Sequence, residues 1–297
     1  MTRLALIGAG LLGGSVAAAL RAAAVVDHVT AYDHDPGALE QGLARGIVDV
    51  AAPSAVAAVA KADAVLLAVP VGAMAPVLHA IAEHVPAHAL VFDVGSTKQS
   101  VIADARRELS AGSSFSIKRF VPCHPIAGGE TAGIAQADAG LLRGRRVITP
   151  PVEETNPQAL DTVEDWWRAT GALVERMTPA EHDAVFAAVS HLPHLAAFAL
   201  VDAIAASPGG ADKLRLAGAG FRDFTRIAAS NPAMWRDITL ANREALGVEL
   251  AALRQALADL QLLVEQGDAE RLEALFTRAS AVRRAMSGDA QMNDDAQ

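Results

Sequence analysis

The sequence predicts an α/β first half built on a doubly wound parallel sheet, followed by an all-α second half. Three observations support this. Over the first 150 residues, short continuous apolar runs alternate with helical segments, as strands covered by helices on both faces do. The first run leads straight into a glycine-spaced turn, "GAGLLGG". Beyond Pro151 helical periodicity takes over. A chain of 297 residues is also long for one core. The expected division is 1–150, 151–288 and a disordered polar tail over 289–297.

In chain order, "RLALIG" predicts a strand and the Ala-rich stretch after it a helix. "HVTAYD", "DAVLLAVP" and "ALVFDV" predict further strands, separated by helices around "PGALEQGLARG" and "APVLHAIAEH". A helix starts after "GSTK", another strand ends at His124, and "RRVITPP" (Arg145–Pro151) reads as a last strand and linker. "VEDWWRATG" predicts a helix with Gly171 as its C-cap. Pro193 interrupts the oily run "EHDAVFAAVSHLPHLAAFALVDAIAA", where it should kink the helix and free the carbonyl of Val189. Between Trp235 and Val264, the residues Leu246, Leu250, Leu253, Leu257, Leu260 and Val264 form a heptad seam on one long helix. With Leu262 and Leu263 beside it, that helix predicts a homodimer, the commonest closed assembly.

Composition excludes several classes. The 25 basic residues are scattered and outnumbered by 34 acidic ones, for a net charge of −9, which is no footprint for nucleic acid. A lone cysteine, Cys123, rules out an internal disulfide framework and fits a reducing, cytoplasmic setting. The amino terminus imitates a signal peptide, yet its glycine spacing serves a turn better. Ala64–Ala82 is apolar but broken by Pro70, Gly72 and Pro76, so no membrane span is expected there.

The chemistry lies in a few motifs. Gly8, Gly10 and Gly13 form G-x-G-x-x-G after the first strand: a tight turn, an opening for pyrophosphate, and close helix packing. The following helix start offers free N–H groups to phosphate. Asp33 ends the second strand, where a carboxylate binds ribose hydroxyls and repels a 2′-phosphate, favouring NAD over NADP. Leu11, Leu12, Val69 and Pro70 flank the same sheet edge as further cofactor contacts. Ser96 and Thr97 in "DVGSTK" suit either helix N-caps or ligand contacts. His124 falls where nicotinamide would lie and suits proton transfer near neutral pH. Cys123 beside it is a poor nucleophile partner, since neighbours on a strand face opposite ways. His191 and His194 share a helical face, but no acidic or cysteine cluster completes a metal site, and none is expected. In "FRDFTRIA", Arg226 is either an ion-pair partner of Asp223 or a carboxylate clamp.

Taken together, "GAGLLGGS", "DVGSTK", "HPIAGGE", "SHLPH", "GFRDFTRIA" and "PAMWRDI" occur in the order of the prephenate and arogenate dehydrogenases, the TyrA family of tyrosine biosynthesis, which the chain resembles over nearly its whole length. The resemblance implies a Rossmann NAD-binding domain and a helical substrate and dimerisation domain. It makes His124 the catalytic histidine on the substrate's ring hydroxyl and puts Ser96 between that histidine and the nicotinamide. His194 and Arg226 would hold the substrate, with Glu130, Ser190 and His191 lining the pocket. The implied reaction is NAD-dependent oxidative decarboxylation of prephenate to 4-hydroxyphenylpyruvate, with arogenate as the alternative substrate.

Overall fold

The computed structural model describes residues 2–109, 116–128 and 133–294. It has two compact units, Met1–Leu246 and Gly247–Gln297.

In the first unit, β1 (Arg3–Ile7), β2 (His28–Tyr32), β3 (Val50–Ala51), β4 (Ala64–Leu67), β5 (Leu90–Asp93) and β6 (Phe120–Val121) form a six-stranded sheet. The order is β3-β2-β1-β4-β5-β6 and every pairing is parallel. Alternate residues of the central strands feed two apolar layers. Leu4, Leu6, Leu66 and Phe92 pack on one face. Ala5, Ile7, Val65, Leu67 and Val91 pack on the other. The order reverses between β1 and β4, whose ends Ile7 and Leu67 lie in register. Such a switch point opens the crevice in which α/β sheets bind ligands.

The strand expected at "RRVITPP" does not join this sheet. It is β8 (Arg146–Thr149), the centre of a separate three-stranded sheet with β7 (His124–Pro125) antiparallel and β9 (Leu173–Arg176) parallel to it. Pro122 has no N–H to continue a ladder, so β6 stops at Val121 and the next residues are free to pair elsewhere.

The helix from Pro179 to Ala206 starts with a capping box, Thr178 with Glu181. Instead of a sharp kink, Pro193 is preceded by a π-helical turn, Ala187–His191, which re-registers the ladder ahead of the ring. By length and composition this one helix among the described residues could cross a membrane. It nevertheless carries buried His182, Asp183 and His191, and one such helix is weak evidence of a span. The long helix expected from Trp235 onward is two, Pro232–Ala241 and Arg243–Gln266, broken at Asn242.

In the second unit the helix Arg243–Gln266 turns at Gly267 (φ +64°) into Ala269–Asp294. Along it Val248, Leu250, Leu257 and Val264 are exposed in the single chain. The helix takes in residues 289–294 of the expected tail; the last three residues lie outside the described ones.

Candidate active site

The glycine turn at the end of β1 separates three roles. Gly8 has φ +100°, and a Cβ there would meet the Ala68 carbonyl oxygen at 2.4 Å. A Cβ on Gly13 would meet the Gly8 oxygen at 2.3 Å. Gly10 has ordinary extended backbone (φ −87°) and open space where its Cβ would stand. Neither conformation nor packing demands glycine at position 10, so the opening itself is the reason for it. Gly10 caps the helix Leu11–Ala22 with no side chain, leaving the N–H groups of Leu11, Leu12 and Gly13 uncapped for an anion. Val69 and Pro70 follow β4, with the Val69 nitrogen 3.1 Å from the Gly8 Cβ position. Asp33, just past β2, accepts from the Ala9 N–H at 2.6 Å and the Asp35 N–H at 2.9 Å, which fixes its carboxylate at the lip of this cradle. The cradle fits a dinucleotide.

The loop after β5 is held by a buried ion pair. Asp93 and Lys98 are both fully buried and in contact. Asp93 also accepts from the N–H groups of Gly95 (2.8 Å) and Cys123 (3.0 Å), while Lys98 Nζ donates to the Cys123 carbonyl at 2.7 Å. These bonds tie "DVGSTK" to the strand bearing His124. Ser96 and Thr97 are not N-caps. The N–H groups of Lys98 and Gln99 donate to Asp183 at 2.8 and 2.9 Å, so a carboxylate from another helix caps Gln99–Glu108. Thr97 Oγ1 instead pairs with Ser100 Oγ. Ser96 stays half-buried, its backbone beside His191.

His124 is buried, its Nδ1 2.8 Å from His182 Nε2; His182 Nδ1 is 2.8 Å from Asp183 Oδ1. Phe186 packs on both rings, with centroids at 4.9 and 4.6 Å. Burial, and then the charges of His182, Lys98 and His191, push His124 well below the ordinary histidine range. It therefore stands neutral. Burial also pushes the Cys123 thiol far up, and Trp167 Nε1 donates to its sulfur at 3.2 Å, so it is no nucleophile.

His191 and His194 both pack on Trp235, His194 stacked at 3.7 Å and His191 edge-on at 6.0 Å. Burial lowers His191 to about 4, against the opposing pull of Asp183. Asn242 Nδ2 donates to His191 Nδ1 at 3.1 Å and to the Asp183 carbonyl at 2.8 Å. His194 Nδ1 donates to the Ser190 carbonyl at 2.9 Å. The helix carbonyl that the site uses is thus that of Ser190, not the Val189 carbonyl expected from the proline, and Ser190 serves through its backbone. Burial lowers His194, and the nearby Arg226 charge adds to the effect. Arg226 opens the short turn Arg226–Ala229. Glu130 lies outside the described residues. Sequence reasoning missed Lys98, His182, Asp183, Trp235 and Asn242. "EHD" inside an oily run was the available signal for two of them.

Among the described residues no group of three or more His, Cys, Asp or Glu could hold a metal ion. The family models decide what this arrangement belongs to. "Prephenate dehydrogenase, nucleotide-binding domain" matches residues 16–176, and "Prephenate dehydrogenase, dimerization domain" matches residues 178–278. The chain belongs to the prephenate dehydrogenase family. Prephenate dehydrogenase of Bacillus subtilis is 35% identical over 94% of this chain and 74% of that protein. Cyclohexadienyl dehydrogenase of Zymomonas mobilis is 34% identical over 96% of each. Among solved structures, prephenate dehydrogenase of Aquifex aeolicus in complex with hydroxyphenyl propionate and NAD+ superposes with a TM-score of 0.89 at 35% identity, covering 96% of this chain and 98% of that one. Within this family the two models meet at residues 176 and 178, where β9 ends.

Proposed function

We propose that the chain is an NAD-dependent prephenate dehydrogenase of tyrosine biosynthesis, producing 4-hydroxyphenylpyruvate and CO2. The observation that carries this is a neutral, buried His124 at the carboxyl edge of the sheet, next to a cradle with an opening at Gly10. NAD bound in that cradle supplies the hydride acceptor. Leu11, Leu12, Gly13 and Asp33 hold it; Ser96 borders the reacting end. His124 takes the carbinol proton as the C–H bond breaks. When the quaternary carboxylate leaves as CO2, its bonding electrons enter the ring and the oxygen recovers the proton as a phenol. Aromatisation drives the second half, so these residues need only orient the ring, hold one proton and keep water out. Arg226 takes the carboxylate end, and His194 lines the pocket beside it with Ser190 and His191.

One observation favours a second substrate as well. With Nδ1–H committed to Ser190, neutral His194 offers Nε2 as an acceptor, which suits the ammonium of arogenate. NADH formation from prephenate and arogenate, assayed in parallel, tests both. Turnover of prephenate that drops on the order of 10²–10⁴-fold in His124→Asn supports the reading; no turnover of either substrate refutes it.

The assembly we propose is a homodimer through the helices of the second unit. Its support is the exposed Val248, Leu250, Leu257 and Val264 on a segment matched by a dimerization-domain model. Light scattering of the purified chain checks the mass. The lone buried Cys123 fits the cytoplasm.

A further inference from the structure

We propose that His182 is the positioning residue for the reaction, fixing the tautomer of His124 and receiving its proton in a buried Asp183–His182–His124 relay. The direction of every hydrogen bond in this chain follows by elimination. Asp183 accepts the N–H groups of Lys98 and Gln99, three contacts in all counting His182, and its carboxylate is held below the usual range by them although burial opposes it. An ionised carboxylate only accepts, so His182 Nδ1 carries the hydrogen. A neutral imidazole then has only a lone pair on Nε2. That lone pair lies 2.8 Å from His124 Nδ1, which must be the donor. His124 Nε2 is left as a bare acceptor, the state needed to take a proton from a carbinol.

The same chain gives the proton somewhere to go. As an N–H bond forms at His124 Nε2, the Nδ1–H bond of His124 breaks and a new one forms at His182 Nε2. The positive charge then rests on His182, whose Nδ1–H faces the Asp183 carboxylate. On return of the proton to the phenol oxygen each bond reverses, so nothing is consumed. The charged and titratable groups around the pair explain why a second ring helps. Lys98 and His191 disfavour a cation on His124. At His182 burial is the first cause acting against the cation, and the Lys98 charge adds to it. There, unlike at His124, the carboxylates Asp183 and Asp93 oppose them. His182 is fully buried and Phe186 covers both rings, so water does not replace the relay. The purpose of the relay rests on the proposed reaction; its geometry does not.

The test begins with nitrogen-15 NMR of the histidines in the full-length protein, with His124 and His182 assigned from the spectra of His124→Asn and His182→Gln. Both rings should be Nδ1–H tautomers near neutral pH; an Nε2–H tautomer at His124 overturns the proposal. Kinetics then separate fixing from relaying. His182→Gln keeps an acceptor for His124 but cannot carry a proton, and should lose about 10-fold in kcat. His182→Phe keeps neither and should lose about 10²-fold, both with an unchanged KM for NAD and an altered pH profile. Equal losses in the two variants, or wild-type kcat and pH profile in both, overturn the relay. A wild-type enzyme inactive on prephenate but showing the Nδ1–H pattern would instead refute the reaction and leave the tautomer assignment standing.

Discussion

Gly10 and Gly13 sit three residues apart in one motif, and the structure predicts opposite consequences for the same added methyl group. At Gly13 a Cβ would stand 2.3 Å from the Gly8 carbonyl oxygen and 2.8 Å from the Ala68 Cβ. Neither neighbour is a flexible chain end, so the helix must move off β1. Overpacking of this kind costs about 1–3 kcal/mol, offset by up to about 1 kcal/mol of better helix propensity. Because the 2.3 Å clash is with backbone, the cost falls at the upper end, about 2 kcal/mol net. Gly13→Ala should therefore lower Tm by roughly 4–8 °C, at about 2–4 °C per kcal/mol for a unit of this size. At Gly10 a Cβ meets nothing within 4 Å and φ is −87°. The poorer N-cap costs some tenths of a kcal/mol, and the less flexible unfolded chain returns about as much. Tm of Gly10→Ala should stay within about 1 °C of wild type. Its methyl, however, fills the opening for pyrophosphate. The same 1–3 kcal/mol now falls on binding, and Kd for NAD should rise roughly 5- to 150-fold. Calorimetric titration with NAD beside thermal melts of both variants reads the two effects separately. If Gly10→Ala bound NAD as wild type does, or melted as early as Gly13→Ala, the assignment of an open cofactor approach would be wrong.

Three further outcomes are expected. Wild type should prefer NAD to NADP, and Asp33→Ser should narrow the kcat/KM ratio roughly tenfold or more, because the carboxylate fixed by Ala9 and Asp35 is what repels a 2′-phosphate; a wild-type preference for NADP would overturn the assignment. Arg226→Ala should raise KM for prephenate on the order of 10- to 100-fold with KM for NAD nearly unchanged, a moderate effect because Arg226 is exposed in the single chain; equal movement of both KM values would favour a structural role. Acid should destabilise the fold. His191 titrates near 6.5 when unfolded but near 4 when folded, so the unfolded chain binds the extra proton first. The stability this group contributes is complete above pH 6.5 and is lost as pH falls toward 4, by about 3 kcal/mol. Urea midpoints that stay level between pH 7 and 5 would contradict a buried neutral His191.

Much of this molecule was readable along the chain. Local spacing determined the βαβ alternation, because strands covered on both faces must be continuously apolar, and it determined the glycine turn with Asp33 at the end of the next strand. His124, His191, His194 and Arg226 were legible as motif members. Their neighbours were not. Asp183 lies 85 residues from Lys98, and His182 lies 58 from His124. "RRVITPP" had strand periodicity but no mark of its partners, so only the end of β6 at Pro122 decided that it builds a second sheet around His124. The seam from Leu246 predicted one helix, whereas the demand of buried His191 and of the Asp183 carbonyl for a donor turns Asn242 inward at a break. Periodicity along a chain reports which face of an element is apolar. Which buried polar group finds which partner is settled only by packing, since a donor and its acceptor must meet within about 3 Å however far apart they stand in sequence.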